Sequence, residues 1–208
     1  MTTVLEGSDL CYAVGDRTIL DGISVRASSG RVLAVRGPSG SGKSSLLAML
    51  GGLVAASGGT VTLDGARVTP GSDVALRRRF EFVLQGYGLV AVLTARENVA
   101  VVLQEARVPG AQVRSRVQAV LERVRLAPVA DHLAEDLSGG QQQRVAVARA
   151  LVTHADVLLA DEPTAELDAD NRGLITSLLI ERARTGAVVV IASDDPDVVD
   201  SCDDVLDL

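Results

Sequence analysis

The chain has 208 residues, 47% of them hydrophobic and 23% charged, which suits one soluble domain with a full core. Aromatics make up only 2%, so the core has to be aliphatic and there is little ring surface on which nucleic-acid bases could stack. The net charge is −7, but the seven Asp of residues 194–208 account for all of it. Without them acids and bases balance at 20 each, which leaves no basic footprint for DNA or RNA.

Cys11 and Cys202 are the only cysteines; they form no framework and fit a reducing compartment. No basic and apolar leader opens the chain, so no signal peptide is expected. The longest apolar stretch, residues 46–56, contains two glycines and is too short to span a bilayer. Any membrane role then needs a partner.

Residues 3–35 read as strands with turns. Val4 and Leu5 start one, Gly15-Asp16 marks a turn, Thr18 to Val25 is β-rich, and Ser28-Ser29-Gly30 is a second turn. Tyr12 falls within this stretch as either a core side chain or an aromatic that stacks on a base. Next comes the apolar run Val32-Leu33-Ala34-Val35, then Gly37-Pro38-Ser39-Gly40-Ser41-Gly42-Lys43-Ser44, then the helix-forming Ser45-Leu46-Leu47-Ala48-Met49-Leu50. The turn fills every fixed position of the phosphate-binding pattern G-x-x-x-x-G-K-[ST]. Glycines let the backbone curl so that its N–H groups face an anion, and the following helix adds the partial positive charge of its N-terminus. Lys43 can reach the β- and γ-phosphates of a nucleotide, and the Ser44 hydroxyl can ligate Mg²⁺. A plain Gly/Ser loop would not need both flanks.

Beyond Gly58-Gly59, Thr60 to Leu63 alternates as a strand. A short helix ends at Leu76–Arg79, with Arg77-Arg78-Arg79 read as a solvated basic patch. Phe80 to Leu84 forms a strand that Gln85-Gly86 breaks. From Leu93 to about Ala127 the pattern is helical. Thr94-x-x-Glu97 is a capping box, and Pro109-Gly110 separates two helices. Ser138-x-x-Gln141 caps another helix, and Gly139 and Gly140 leave its first N–H groups bare to an anion. The apolar strand 157–160 ends in Asp161-Glu162-Pro163. Carboxylates at the C-terminal end of a buried parallel strand stand beside the phosphate loop in a doubly wound sheet. Asp161 is placed to hold Mg²⁺ through its water shell and Glu162 to polarise an attacking water. A helix at 169–184, a buried strand at 187–191, Ser193, an Asp-rich helix and the strand Val205-Leu206 finish the chain. Asp194, Asp195 and Asp197 around Pro196 read as helix-start chemistry and a solvated face rather than a metal site.

These motifs resemble the ATPase subunit of an ATP-binding cassette (ABC) transporter over essentially the whole chain. They run in family order: the phosphate loop at 37–44, Gln85 as the Q-loop, Leu137-Ser138-Gly139-Gly140-Gln141 as the signature, Asp161-Glu162, and Ala165-Glu166-Leu167-Asp168 as the D-loop. Tyr12 falls where the family has its base-stacking aromatic. The stretch Phe82-Val83-Leu84-Gln85 … Leu93-Thr94-Ala95-Arg96-Glu97-Asn98-Val99 resembles the macrolide-exporter and lipoprotein-release branch. The resemblance implies an α/β fold: a P-loop NTPase core on a parallel sheet, an N-terminal antiparallel β subdomain, and an all-helical insert at roughly 86–150 carrying the signature. All of it belongs to one ATPase domain spanning 1–208.

The resemblance also implies a mechanism and partners. Two cassettes close head to tail on two ATP molecules with Mg²⁺. Gly37 to Ser45 of one copy bind each ATP, and Ser138, Gly139, Gly140, Gln141 and Asp168 close on it from the other, an isologous arrangement. Ser44, Gln85 and Asp161 hold the metal; Glu162 and Gln85 serve hydrolysis. The partners are transmembrane permease subunits at the cytoplasmic face of the cell membrane and a second ATPase subunit, with no nucleic acid. In the family a histidine follows the strand 188–191. Here the run is Ile191-Ala192-Ser193-Asp194, and the only histidines are His132 and His154. Ser193 is therefore the catalytic position with altered chemistry. Binding is expected to be intact and hydrolysis slow, as in a regulatory cassette or the degenerate half of a pair.

Overall fold

A long hairpin comes first. In the computed structural model, which describes residues 2–208, β1 (Val4–Val14) and β2 (Arg17–Ser28) pair antiparallel across the tight turn at Gly15. β4 (Gly58–Leu63) and β5 (Ala66–Arg67) extend this sheet in the order β2-β1-β4-β5. Leu5, Leu10, Leu20 and Val25 are buried; their spacing of five along each strand departs from strict alternation, and register shifts between Gly7 and Leu10 and between Leu10 and Tyr12 accompany it.

The second sheet is parallel. Its strands are β3 (Val32–Arg36), β6 (Phe80–Val83), β7 (Val157–Asp161), β8 (Val188–Ala192) and β9 (Asp204–Asp207), in the order β6-β7-β8-β3-β9. The centre is apolar without interruption: Val32 to Val35, Val157 to Ala160 and all of β8 are buried. That is the pattern of strands covered on both faces. α1 (Lys43–Leu50) lies on this sheet with Leu46, Met49 and Leu50 almost wholly enclosed. Its exit is tight. A Cβ on Gly51 would lie 2.1 Å from Phe82 Cζ and 2.9 Å from Leu159 Cδ1.

Two readings of surface charge are corrected. Arg79 is not part of a solvated patch; it bridges Asp64 and Asp156 at 2.5 Å each. The acidic tail is not simply solvated either. Asp203 accepts from the Val32 N–H at 2.8 Å and from Arg184 at 2.7 Å, Asp204 pairs with Arg31, and Asp207 with Arg36. The tail lacks bases of its own because β9 borrows them from elsewhere in the chain. Asp195 does start a helix, capping α7 (Pro196–Val199) through the Asp197 N–H at 2.9 Å. Among the described residues no cluster of His, Cys, Asp and Glu is built to hold a metal, and no helix is long and apolar enough to cross a membrane.

The chain divides into two compact units. The strands just described belong mainly to the first, which takes residues up to Phe82, Ala155–Glu162 and Leu179–Leu208; the second takes Val83–His154 and Pro163–Leu178. α2 (Val74–Arg77) is a single turn in the first. The second holds α3 (Ala95–Glu105), α4 (Gly110–Arg123) and α5 (Gly139–Leu151), and α6 (Ala169–Arg184) begins in it. The Thr94/Glu97 capping box is present in both directions. The helical run expected from 93 to 127 is split at Pro109-Gly110 as expected but is shorter, from Ala95 to Arg123. Arg107 and Arg125 take left-handed backbones after α3 and α4, and single 3₁₀ turns follow at Ala127–Val129 and Ala134–Asp136. Asn98, wholly buried on α3, fixes the preceding loop by accepting from the Val90 N–H and donating to the carbonyls of Val90, Leu93 and Thr94.

Two outcomes follow for stability. Gly51→Ala overfills the α1 exit and should cost about 1–3 kcal/mol in denaturant unfolding; an unchanged midpoint would show that Phe82 moves aside freely. Arg184 and the Val32 N–H hold the Asp203 carboxyl below its ordinary 3.8, Arg184 contributing most. The stabilising effect of a depressed carboxylate is present above the unfolded value and lost as pH falls through the folded one. Asp203→Asn should therefore melt lower than the parent at pH 7, with the gap closing as the pH drops below 3.8. A gap that persists at strongly acid pH would assign the effect to something other than charge.

Candidate nucleotide site

Strand register sets this site. Val35 of β3 pairs with Ala192 of β8, and Ala192 pairs with Asp161 of β7, so three strand ends stand in one row. Beyond that row, the Glu162 N–H donates to Ala192 O at 2.9 Å and the Ser193 N–H to Val35 O at 3.1 Å. The glycine loop, the carboxylate pair and Ser193 thus leave the same edge of the sheet side by side.

The loop turns tightly at its two ends. A Cβ on Gly37 would meet Ser41 Oγ at 2.5 Å and Leu208 O at 2.7 Å. Gly42 has φ 103°, and a Cβ there would strike Leu20 of the hairpin at 2.7 Å. Gly42 is the N-cap of α1 and has no side chain to satisfy the first N–H groups, nor is there an acid in the first turn. Such a helix start offers several amide donors and a positive dipole end to an anion. Lys43 is only 7% exposed. Its ammonium donates to Gly37 O at 2.8 Å and stands 3.5 Å from both Pro38 O and Glu162 Oε1. Pro38, Ser39, Gly40 and Ser44 are exposed, while Ser45 is half-buried.

The carboxylates differ. Asp161 Oδ1 is buried without a hydrogen-bond partner, as is Ser41 Oγ. Glu162 has a left-handed backbone, φ 46°, uncommon for a residue with a side chain and typical of functional positions. Burial is the main reason its carboxyl is held above the usual range; the negative charge of Asp194 comes next, and Lys43 opposes both. Ser193 is 0% exposed, unlike the strand-end group expected to face substrate. Its hydroxyl accepts from the Asp195 N–H at 3.2 Å and lies 3.4 Å from Glu162 Oε2. The exposed side chain at this strand end is the next one, Asp194.

These residues fit a nucleotide phosphate with Mg²⁺. An enclosed cation, an uncapped helix start and an orphaned Ser41 hydroxyl suit an anion. The orphaned Asp161 oxygen suits a cation that keeps most of its water and takes one or two protein ligands. Tyr12, half-buried on β1, pairs across the hairpin with Leu20, the residue that backs Gly42.

The remaining residues singled out in the sequence belong to the second unit. Gln85 is exposed in the turn after β6. Ser138 caps α5 by accepting from the Gln141 N–H at 3.3 Å, and Gln141 Oε1 accepts from the Ser138 N–H at 2.9 Å. Asp168 caps α6 through the Asn171 N–H at 2.8 Å. Sequence reasoning missed Arg144, which donates to Gly140 O at 3.2 Å, and Tyr87, which with Glu166 of the D-loop flanks Gly139. No spacing rule marks a side chain that packs on a glycine far away in sequence. Tyr87's place two residues after Gln85 was the one available signal.

Comparison with known proteins agrees with this geometry. The family model described as "ABC transporter" matches residues 20–165. An uncharacterised ABC transporter ATP-binding protein of Mycobacterium tuberculosis is 40% identical over 99% of this chain and 62% of its own length. A macrolide export ATP-binding/permease protein of Brucella melitensis is 40% identical over 96% of this chain and 32% of its own. The chain thus spans about three fifths and one third of these relatives. A dimeric ATP-binding cassette solved in a post-hydrolysis state with ADP and Pi superposes with a TM-score of 0.90 at 32% identity, covering 98% of this chain and 94% of that one. With the family model covering most of its length and the fold shared throughout, the chain belongs to the ABC transporter family and is built as its ATP-binding cassette.

Proposed function

We propose that this chain binds MgATP and hydrolyses it to ADP and phosphate, powering a membrane transporter by ATP-driven closure and hydrolysis-driven opening of a cassette pair. The observation that carries the reading is the row of strand ends: Lys43, Asp161 and Glu162 converge on an uncapped helix start. The bare N–H groups of α1 and the Lys43 ammonium bind and orient the β- and γ-phosphates, with Ser39, Gly40 and Ser41 lining the curl. Tyr12 stacks on the base. Ser44 and Asp161 would hold Mg²⁺, which would supply charge neutralisation when bound. Glu162 orients the attacking water and draws on its proton. In a second copy Ser138, Gly139, Gly140, Gln141 and Asp168 close over the γ-phosphate. The dimeric relative with ADP and Pi supports this two-copy site.

The same reading makes residues 1–208 one cassette with a helical subdomain at roughly 86–150. Its partners are permease subunits and a second ATPase subunit at the cytoplasmic face of the cell membrane, without nucleic acid. The relative named as an ATP-binding/permease protein supports a permease partner.

A second reading, a nucleotide-binding regulatory or degenerate-site cassette with little turnover, is favoured by one observation. The strand end where the family has histidine offers an enclosed Ser193 and an exposed Asp194. Neither supplies a cation to the γ-phosphate, and Asp194 adds a negative charge near Glu162. Losing a transition-state contact of this kind costs roughly 10²–10³-fold in rate. Intact Glu162 argues for residual hydrolysis.

The parent chain should hydrolyse ATP more slowly than about 1 s⁻¹, below the usual range of enzymes. An imidazole restored by Asp194→His should raise the rate at least about tenfold. Ser193→His, placed in an enclosed position, should lose stability instead. A fast parent unaffected by Asp194→His sinks the impaired-site idea. Glu162→Gln should lower turnover at least about 100-fold while letting MgATP-dependent dimers accumulate in sedimentation, and Lys43→Ala should abolish nucleotide binding. Monomers alone at saturating MgATP in Glu162→Gln would count against the two-copy site.

A further inference from the structure

Tyr87 is fixed at its backbone, and the tip of its side chain lies against Gly139. The backbone takes a left-handed turn, φ 60°, and its N–H donates to Leu84 O at 2.9 Å. Arg149, in the last turn of α5, donates to Tyr87 O at 2.9 Å and also to Gly88 O. The loop that carries Gln85 is thus pinned by its carbonyls to the far end of α5. The phenol reaches the near end of the same helix. Tyr87 Oη lies 3.3 Å from the point where a Cβ on Gly139 would stand, and Glu166 Oε2 lies 3.4 Å from that point. One residue on, Glu166 O is 2.7 Å from the Cβ position of Gly140. Arg144 holds the Gly140 carbonyl from within α5. Both glycines therefore face walls: at Gly139 the ends of two flexible side chains, at Gly140 a backbone carbonyl that cannot yield cheaply. The capping box alone needs neither glycine.

We propose that Tyr87 is a positioning residue for the turn of Ser138 to Gln141, tying the loop of Gln85 to the first turn of α5 so that displacement of that loop moves the glycines that close on nucleotide. The proposal rests on the two-copy site described above and adds a route by which a partner pressing on the Gln85 loop changes closure without touching the phosphate loop. Arg149 bonds the loop to the last turn of α5, and the Tyr87 ring lies against its first. Loop and helix start then move as a body.

The test uses the full chain carrying Glu162→Gln, with MgATP-dependent dimerisation followed by sedimentation and MgATP affinity measured on dilute monomer. Tyr87→Ala should weaken dimerisation at least about tenfold, a contact loss of ordinary size, with monomer affinity for MgATP unchanged. Tyr87→Phe, which keeps the ring and the fold, should weaken it by at least about threefold. Gly139→Ala should weaken it too, and Gly139→Ala/Tyr87→Phe should fall no further than Gly139→Ala alone, as for residues acting through one contact. Dimerisation of Tyr87→Ala and Tyr87→Phe at the parent level overturns the proposal, as do strictly additive effects or a parallel loss of MgATP affinity. A Glu162→Gln parent that stays monomeric overturns the two-copy site first, and this inference with it.

Discussion

Everything at the nucleotide site depends on parallel pairing of β7, β8 and β3. Parallel strands present all their C-terminal ends at one edge, and register decides which residues share a row. Here the row is Asp161, Ala192 and Val35. β8 is apolar and buried on both faces, so close packing of side chains of fixed size, rather than alternation, holds its register. The aliphatic core therefore aligns the polar chemistry. The charges are then set against one another: an enclosed Lys43, a Glu162 with raised proton affinity and an unpartnered Asp161 oxygen. A buried, incompletely paired constellation of this kind costs folding free energy, and natural proteins tolerate it at working sites.

Much of this was legible from residue order. The glycine loop between an apolar strand and an apolar helix, the Thr94 and Ser138 capping boxes, and the strand ending at Asp161 are local patterns, and local patterns follow from backbone chemistry. The residues alone gave strands and turns over 3–35 and buried apolar runs ahead of the phosphate loop and Asp161; the separate antiparallel sheet was what the family resemblance implied. What escaped was non-local. Arg79 looked solvated beside Arg77 and Arg78, yet Asp64 and Asp156 come to it from distant strands. The acidic tail looked unbalanced because Arg31, Arg36 and Arg184, its counter-ions, lie far upstream. Pro109-Gly110 marked the break between α3 and α4, whereas the end of α4 rests on a left-handed Arg125, which carries no turn signature of its own.

Ser193 shows how position and environment separate. Counting from the strand places it at the reactive edge, where it is 0% exposed. The hydroxyl is consumed in accepting from the Asp195 N–H and in its approach to Glu162. Asp194 is left outside. The electrostatic character of this corner is thus acidic rather than merely neutral, a distinction that follows from which of two adjacent side chains the turn exposes.

The scarcity of aromatic residues has an optical consequence. The chain has no tryptophan and two tyrosines. Tyr12 lies on the hairpin beside the residue backing Gly42, and Tyr87 sits against Gly139. One tyrosine falls in each compact unit. Ultraviolet emission excited in the tyrosine band therefore comes from these two places, a built-in probe whose two sources single Tyr→Phe substitutions separate without an added dye.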